Sequence, residues 1–152
     1  MALTPGLTCT RDLFAKLQRD VYLLEEEVNT DRFFNFVVTG YSLIDWVKND
    51  PSVPSTAKDD PAVASLYKDR WLKTCGDIAN ASKHFTLKFG LPITKSVTAA
   101  RGFGLGRYGK GDYGQGEERI IVELNDGATF DCFDLIQGVL SVWNQFFARY
   151  GI

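Results

Sequence analysis

The stretch Glu118-Arg119-Ile120-Ile121-Val122-Glu123-Leu124-Asn125-Asp126-Gly127-Ala128-Thr129-Phe130-Asp131 decides the fold class of this chain. Ile120, Val122 and Leu124 occupy alternate positions, the period of a strand with one buried face. Asn125-Asp126-Gly127 is hairpin chemistry, because Asn, Asp and Gly accept the backbone that a tight turn demands. Ala128 to Asp131 then returns as a short third strand. Upstream, Ile93 to Arg101 is rich in Thr, Val and Ser and supplies a first strand. Gly102 to Gly116 is a glycine-rich connection between the two. An antiparallel sheet therefore interrupts a chain whose other periodic stretches are helical.

Outside residues 91–131 the apolar residues recur at steps of three and four. Leu13, Phe14, Leu17, Val21 and Leu24 define a first helix, which Thr10 is placed to cap. Glu25, Glu26 and Glu27 at its end oppose the helix dipole, so that end is expected to fray. Phe33 to Val47 reads as a second helix. Phe34, Val37, Val38, Tyr41 and Ile44 form its apolar face, and Asn35, Thr39, Ser42 and Asn49 a narrow polar stripe with Asp45 beside it. Pro51, Pro54 and several Asp and Ser residues make 49–60 a loop. Asp60-Pro61 starts a third helix, expected to run to about Phe85 with Val63, Leu66, Tyr67, Trp71, Cys75 and Ile78 on its buried side, continued by Ser82 and Phe85. Gly76 weakens it unless a neighbouring helix approaches closely there. Gly90 and Pro92 end the helical half. Asp131 or Asp134 caps a last helix, with Leu135, Ile136, Val139, Trp143, Phe146 and Phe147 inward. The expectation is one α+β domain, mainly a helical bundle: helices over 10–90, sheet over 91–131, closing helix over 132–150.

Composition limits the function classes. With 152 residues, 45% of them hydrophobic and 13% aromatic, the chain can bury a core of its own. Its net charge of -2 argues against a protein that coats DNA, which needs a strongly basic surface. Cys9, Cys75 and Cys132 are odd in number and widely spaced, so they read as free thiols of a reducing, cytoplasmic compartment. No zinc spacing or other metal site is present, and no cofactor is implied. The N-terminus shows no leader pattern. The most apolar run, Phe33 to Val47, is shorter than the ~20 residues of a membrane span.

Two segments carry candidate chemistry. The glycine-rich stretch matches G-x-G-x-x-G at Gly104, Gly106 and Gly109. A dinucleotide fingerprint needs a helix after it to hold the pyrophosphate, and here a strand follows. What remains is a hairpin tip in which Arg101, Arg107, Lys110 and Tyr108 interleave cations with an aromatic ring. The plain reading is a soluble hairpin tip; the alternatives are single-stranded nucleic acid, which the composition suits by phosphate attraction and base stacking, and a protein partner. The second segment is the end of the third helix. Asp77, Asn80 and His84 lie three and four residues apart and share one face at the border of the apolar stripe. His84, the only histidine, could act as a general acid or base. Alternatively, His84 and Asn80 bond the following loop and fix the helix exit. Asp77, Ser42 and Asp45 are the polar residues expected at a pocket or interface.

Tyr41-Ser42-Leu43-Ile44-Asp45-Trp46-Val47 and Asp77-Ile78-Ala79-Asn80-Ala81-Ser82-Lys83-His84-Phe85 resemble segments of uncharacterised bacterial and phage proteins with LxDWV and DIxNASKHF helices. More distantly, Asn80 and His84 four apart on a helix resemble the signature of HEPN domains, helical bundles of toxins and RNA-cleaving defence proteins. That family has an arginine before the asparagine, where this chain has Ala79. The resemblance implies a helical bundle, a homodimer with the site between its copies, and His84 as catalytic acid/base with Asn80 orienting it. Two functions are thus expected as alternatives. One is a non-enzymatic binding or interaction module whose partner the sequence does not name, RNA or another protein, and the other an HEPN-like protein that cleaves or binds RNA through His84.

Overall fold

The computed structural model of the chain describes residues 3–86, 90–102 and 117–152, which hold six helices and one three-stranded antiparallel sheet. The helices are α1 (Thr10–Glu26), α2 (Thr30–Asn49), α3 (Ser55–Lys58), α4 (Asp60–Lys68), α5 (Arg70–His84) and α6 (Cys132–Tyr150). The strands are β1 (Thr94–Gly102), β2 (Glu117–Leu124) and β3 (Thr129–Asp131), in the order β1-β2-β3. The fold is the mainly helical α+β architecture that the periodicities imply. Among the described residues no helix is long and apolar enough to cross a membrane.

α1 and α2 form an antiparallel pair, α5 packs on α2, and α6 packs on the sheet and back against the helices. Their shared core runs from Leu17 and Leu24 through Phe36 and Leu72 to Ile136 and Trp143. The Trp143 indole N–H donates to the Gly40 carbonyl at 3.0 Å, a bond made inside the core. Burial would otherwise leave that N–H unpaired at a cost of about 1 to 3 kcal/mol. Cys75 and Cys132 are buried and Cys9 is half-buried.

Several expectations shift in detail. Thr10 is the first residue of α1, with Cys9 at the cap position. The Thr10 N–H donates to Asp50 at 2.6 Å, tying the start of α1 to the end of α2. The acidic end of α1 is held by Arg32, whose guanidinium donates to the Leu23 carbonyl and lies near Glu26 and Glu27. The loop at 49–60 contains the single turn α3. The buried face of α2 is centred on Phe33, Phe36, Val37, Gly40 and Leu43, while Phe34 and Val38 are exposed. The helix is apolar almost all round, so periodicity alone left its orientation open. Thr39, one of the polar stripe, is buried. Its hydroxyl donates to Asp20 at 2.6 Å, and Lys16 reaches the same carboxylate at 2.7 Å.

The expected third helix is two helices. Asp69 has extended backbone, and its carboxylate accepts the N–H groups of Trp71 and Leu72, which starts α5 anew. The break re-aims the second half. Leu72, Cys75 and Ile78 turn inward with Thr74 and Asp77, and Ser82 and Phe85 point to solvent. Gly76 sits where the Tyr41 ring of α2 lies so close that a Cβ would meet it at 2.6 Å, the close approach that accounts for a glycine inside a helix.

At the sheet the hairpin turns at Asn125 to Gly127 as expected, with Gly127 in the left-handed region at φ +90°. Ile120, Val122 and Leu124 are buried together. Asp131 caps α6 and exchanges bonds with Asp134 through reciprocal backbone N–H groups.

Candidate functional site

Asp77 is the residue that joins the helical part to the sheet. It lies on the third turn of α5 and is 5% exposed. One carboxylate oxygen accepts the Ile93 N–H at 2.9 Å and both the N–H and the hydroxyl of Thr94 at 3.0 Å. The other faces the Lys73 ammonium at 3.2 Å. A buried carboxylate is tolerable only with such a full set of donors. The helix exit is therefore fixed by Asp77, one to two turns earlier than His84 and Asn80. His84 and Asn80 are both exposed.

The end of α5 borders two depressions. A small one, of about 190 Å³, is lined by Tyr41, Tyr67, Lys73, Gly76, Asp77 and Asn80. Burial, then the neighbouring Tyr67, push the Tyr41 phenol above its ordinary range, against a hydrogen bond from Asn80. That phenol stays neutral at physiological pH. A larger groove, of about 670 Å³, separates α5 from β1. Its helical wall is Ile78, Ala81, Ser82 and Phe85, with Phe34 of α2 beside it, and its strand wall is Thr94 to Val97. Lys83, His84 and Lys95 also line it.

The groove is apolar at the surface for a structural reason. Val97 stands opposite Val122 in the β1–β2 register, so it belongs to the same face as the buried apolar row of β2. α6 packs on β2 and β3, whereas α5 is the helix beside β1. Val97 is consequently 39% exposed, and Phe34 is 37% exposed across from it. Phe85 is the extreme case, 94% exposed and at φ +65°, a backbone region that a bulky residue rarely occupies.

The residues singled out from the sequence are thus distributed. Asn80 lines the small depression and His84 the groove, with Asp77 between them and lining both. Ser42 and Asp45 line neither; Ser42 is half-buried, and Asp45 is exposed beside Lys48 at 3.6 Å. Arg101 lies in β1. Arg107, Tyr108 and Lys110 lie outside the described residues. Among the described residues no group of three or more His, Cys, Asp or Glu side chains is placed to hold a metal ion. The groove residues Phe34, Phe85 and Val97 escaped sequence reading. Phe34 and Phe85 sit at helical spacing and looked like core, and Val97 looked like an ordinary strand residue.

No family model matches the chain, and neither the curated proteins nor the solved structures give a significant match.

Proposed function

We propose that this chain is a non-enzymatic binding module whose ligand occupies the groove between α5 and β1. The observation that carries the reading is the wall of that groove, where Phe34, Phe85 and Val97 hold apolar surface in solvent beside Lys83, His84 and Lys95. A concave apolar site with a few polar groups at its border is what ligand recognition requires. The ammonium groups of Lys83 and Lys95 favour an anionic ligand. Among the described residues the one carboxylate lining the groove, Asp77, is already taken up by Lys73, Ile93 and Thr94, so it is engaged in holding the fold.

The test uses 1-anilinonaphthalene-8-sulfonate, an anionic aromatic probe. The folded protein is expected to bind it at one site per chain. The double variant Phe85→Ser/Val97→Asp should lose about tenfold in affinity, or 1.4 kcal/mol, at unchanged melting temperature. Single-stranded RNA incubated with the protein should stay intact. Probe binding that is indifferent to the double variant would overturn the reading. So would RNA degradation that His84→Ala abolishes without lowering the melting temperature, the behaviour an HEPN-like ribonuclease would show.

A further inference from the structure

We infer that the occupant of the groove is an extended peptide segment bearing acidic residues, which adds as a fourth strand to the edge of β1 that no described strand pairs. This rests on the groove being the binding site, and it specifies the ligand.

The groove follows the edge of the sheet. Four consecutive residues of β1, Thr94 to Val97, line it. Side chains alternate between the two faces of a strand, so lining by consecutive residues places the groove along the strand's edge. The opposing positions 78, 81 and 82 lie on one face of α5, and Phe85 follows at its C-cap. Four strand residues span about 10 Å, and seven helical steps rise about 10 Å. The two walls match in length, and a slot between an edge strand and a helix is the geometry in which peptides are held by strand addition.

Among the described residues the outer edge of the β1 backbone has no strand partner. Along β2 the Leu124 N–H goes to Ala128 on the β3 side, and the Asn125 N–H goes to Ile93 on the β1 side. Alternation then directs Glu123 and Ile121 toward β1. Their register partners Ser96 and Thr98 face β2, which turns the N–H and C=O groups of Val97 and Ala99 outward. The irregular register between Thr94 and Ser96 lies at the end where Asp77 already takes the Thr94 N–H. Beyond it the β1–β2 register is continuous, and Ser96-Val97-Thr98-Ala99-Ala100 contains no charge and no proline. Edges are ordinarily blunted by such features or by shortness. β3, at the other side, is only three residues long.

Charge selects the occupant. Lys83, His84 and Lys95 line the groove; Asp77 is offset by Lys73 and Lys95 is paired with Glu123, so the unpaired charge among the described groove residues is the Lys83 ammonium. Lys95 reaches Glu123 at 2.9 Å and remains largely exposed. A second copy offering the same edge would bring the same cations to the pairing, where like charges oppose it. An acidic peptide complements them.

The experiment measures fluorescence anisotropy with a labelled seven-residue probe of alternating valine and threonine, ended by glutamates. Two control probes accompany it, one with alternate amides N-methylated and one ended by lysines. The glutamate probe should bind the full chain. N-methylation and the lysine ends should each weaken it by about tenfold or more. Ala99→Pro removes one outward N–H and should weaken it similarly, with anilinonaphthalene sulfonate binding retained; Lys83→Glu should flatten its salt dependence. An N-methylated probe that binds equally would overturn the inference. Oligouridylate displacing the peptide from the groove, or a dimer that Ala99→Pro dissociates, would overturn it in favour of RNA or a second copy. If the dye binds the groove and the peptide does not, strand addition fails while the groove reading stands. If neither binds, both fail.

Discussion

At the scale of single residues, Asp77 and His84 part company although they share a helix. Replacing Asp77 by alanine strands the N–H groups of Ile93 and Thr94 and leaves Lys73 without its carboxylate. We expect a loss of about 2 to 4 kcal/mol in urea denaturation. His84→Ala should change stability by less than about 0.5 kcal/mol, as for an ordinary exposed position. Gly76→Ala should cost about 1 to 3 kcal/mol, read as a lowered melting temperature, because the Tyr41 ring must move. The sequence placed Asp77, Asn80 and His84 on one helical border; in the structure Asp77 is buried, while Asn80 and His84 are exposed and line different depressions. Which of the three fixes the helix exit was not legible, since the partners of Asp77 lie 16 and 17 residues further along and only the folded chain brings them there.

At the scale of elements, the junctions carry the tests. Asp69→Ala removes the side-chain cap of α5 and should cost about 1 kcal/mol. The break it marks was hard to see in the sequence, because no glycine or proline stands between Lys68 and Arg70 and the apolar period runs on across it. Asp50 links the end of α2 to the start of α1. Burial acts to raise its pKa, but hydrogen bonds from the Ser52 hydroxyl and the backbone N–H groups of Thr10 and Ser52 outweigh burial, lowering it from 3.8 to about 2. A carboxylate with a depressed folded pKa stabilises the fold above its unfolded value and loses that contribution as pH falls through the folded one. The stability advantage of the parent over Asp50→Asn should therefore be constant above about pH 4 and shrink between pH 4 and 2, as followed by thermal melts in that range. An advantage that does not vary with pH would mean that charge at Asp50 plays no part.

At the scale of the whole molecule, the order of elements was legible because helix and strand periods differ sharply and because Asn125-Asp126-Gly127 admits few alternatives. The groove was not legible. It exists because α6 reaches across β2 and β3 while β1 extends past that cover, a matter of relative helix and strand placement that local patterns do not encode. The same arrangement has a consequence for how the chain acquires its structure. The Trp143 indole meets the Gly40 carbonyl across 103 residues, and α6 supplies Leu135, Ile136 and Val139 to the centre of the core. A chain emerging from the ribosome exposes the inner faces of α1, α2 and α5 until residues 132–150 have followed. During that interval those apolar faces lie open to solvent, and in a chain with Trp46 and Trp71 replaced by phenylalanine the fluorescence of Trp143 would time the moment at which α6 closes over them.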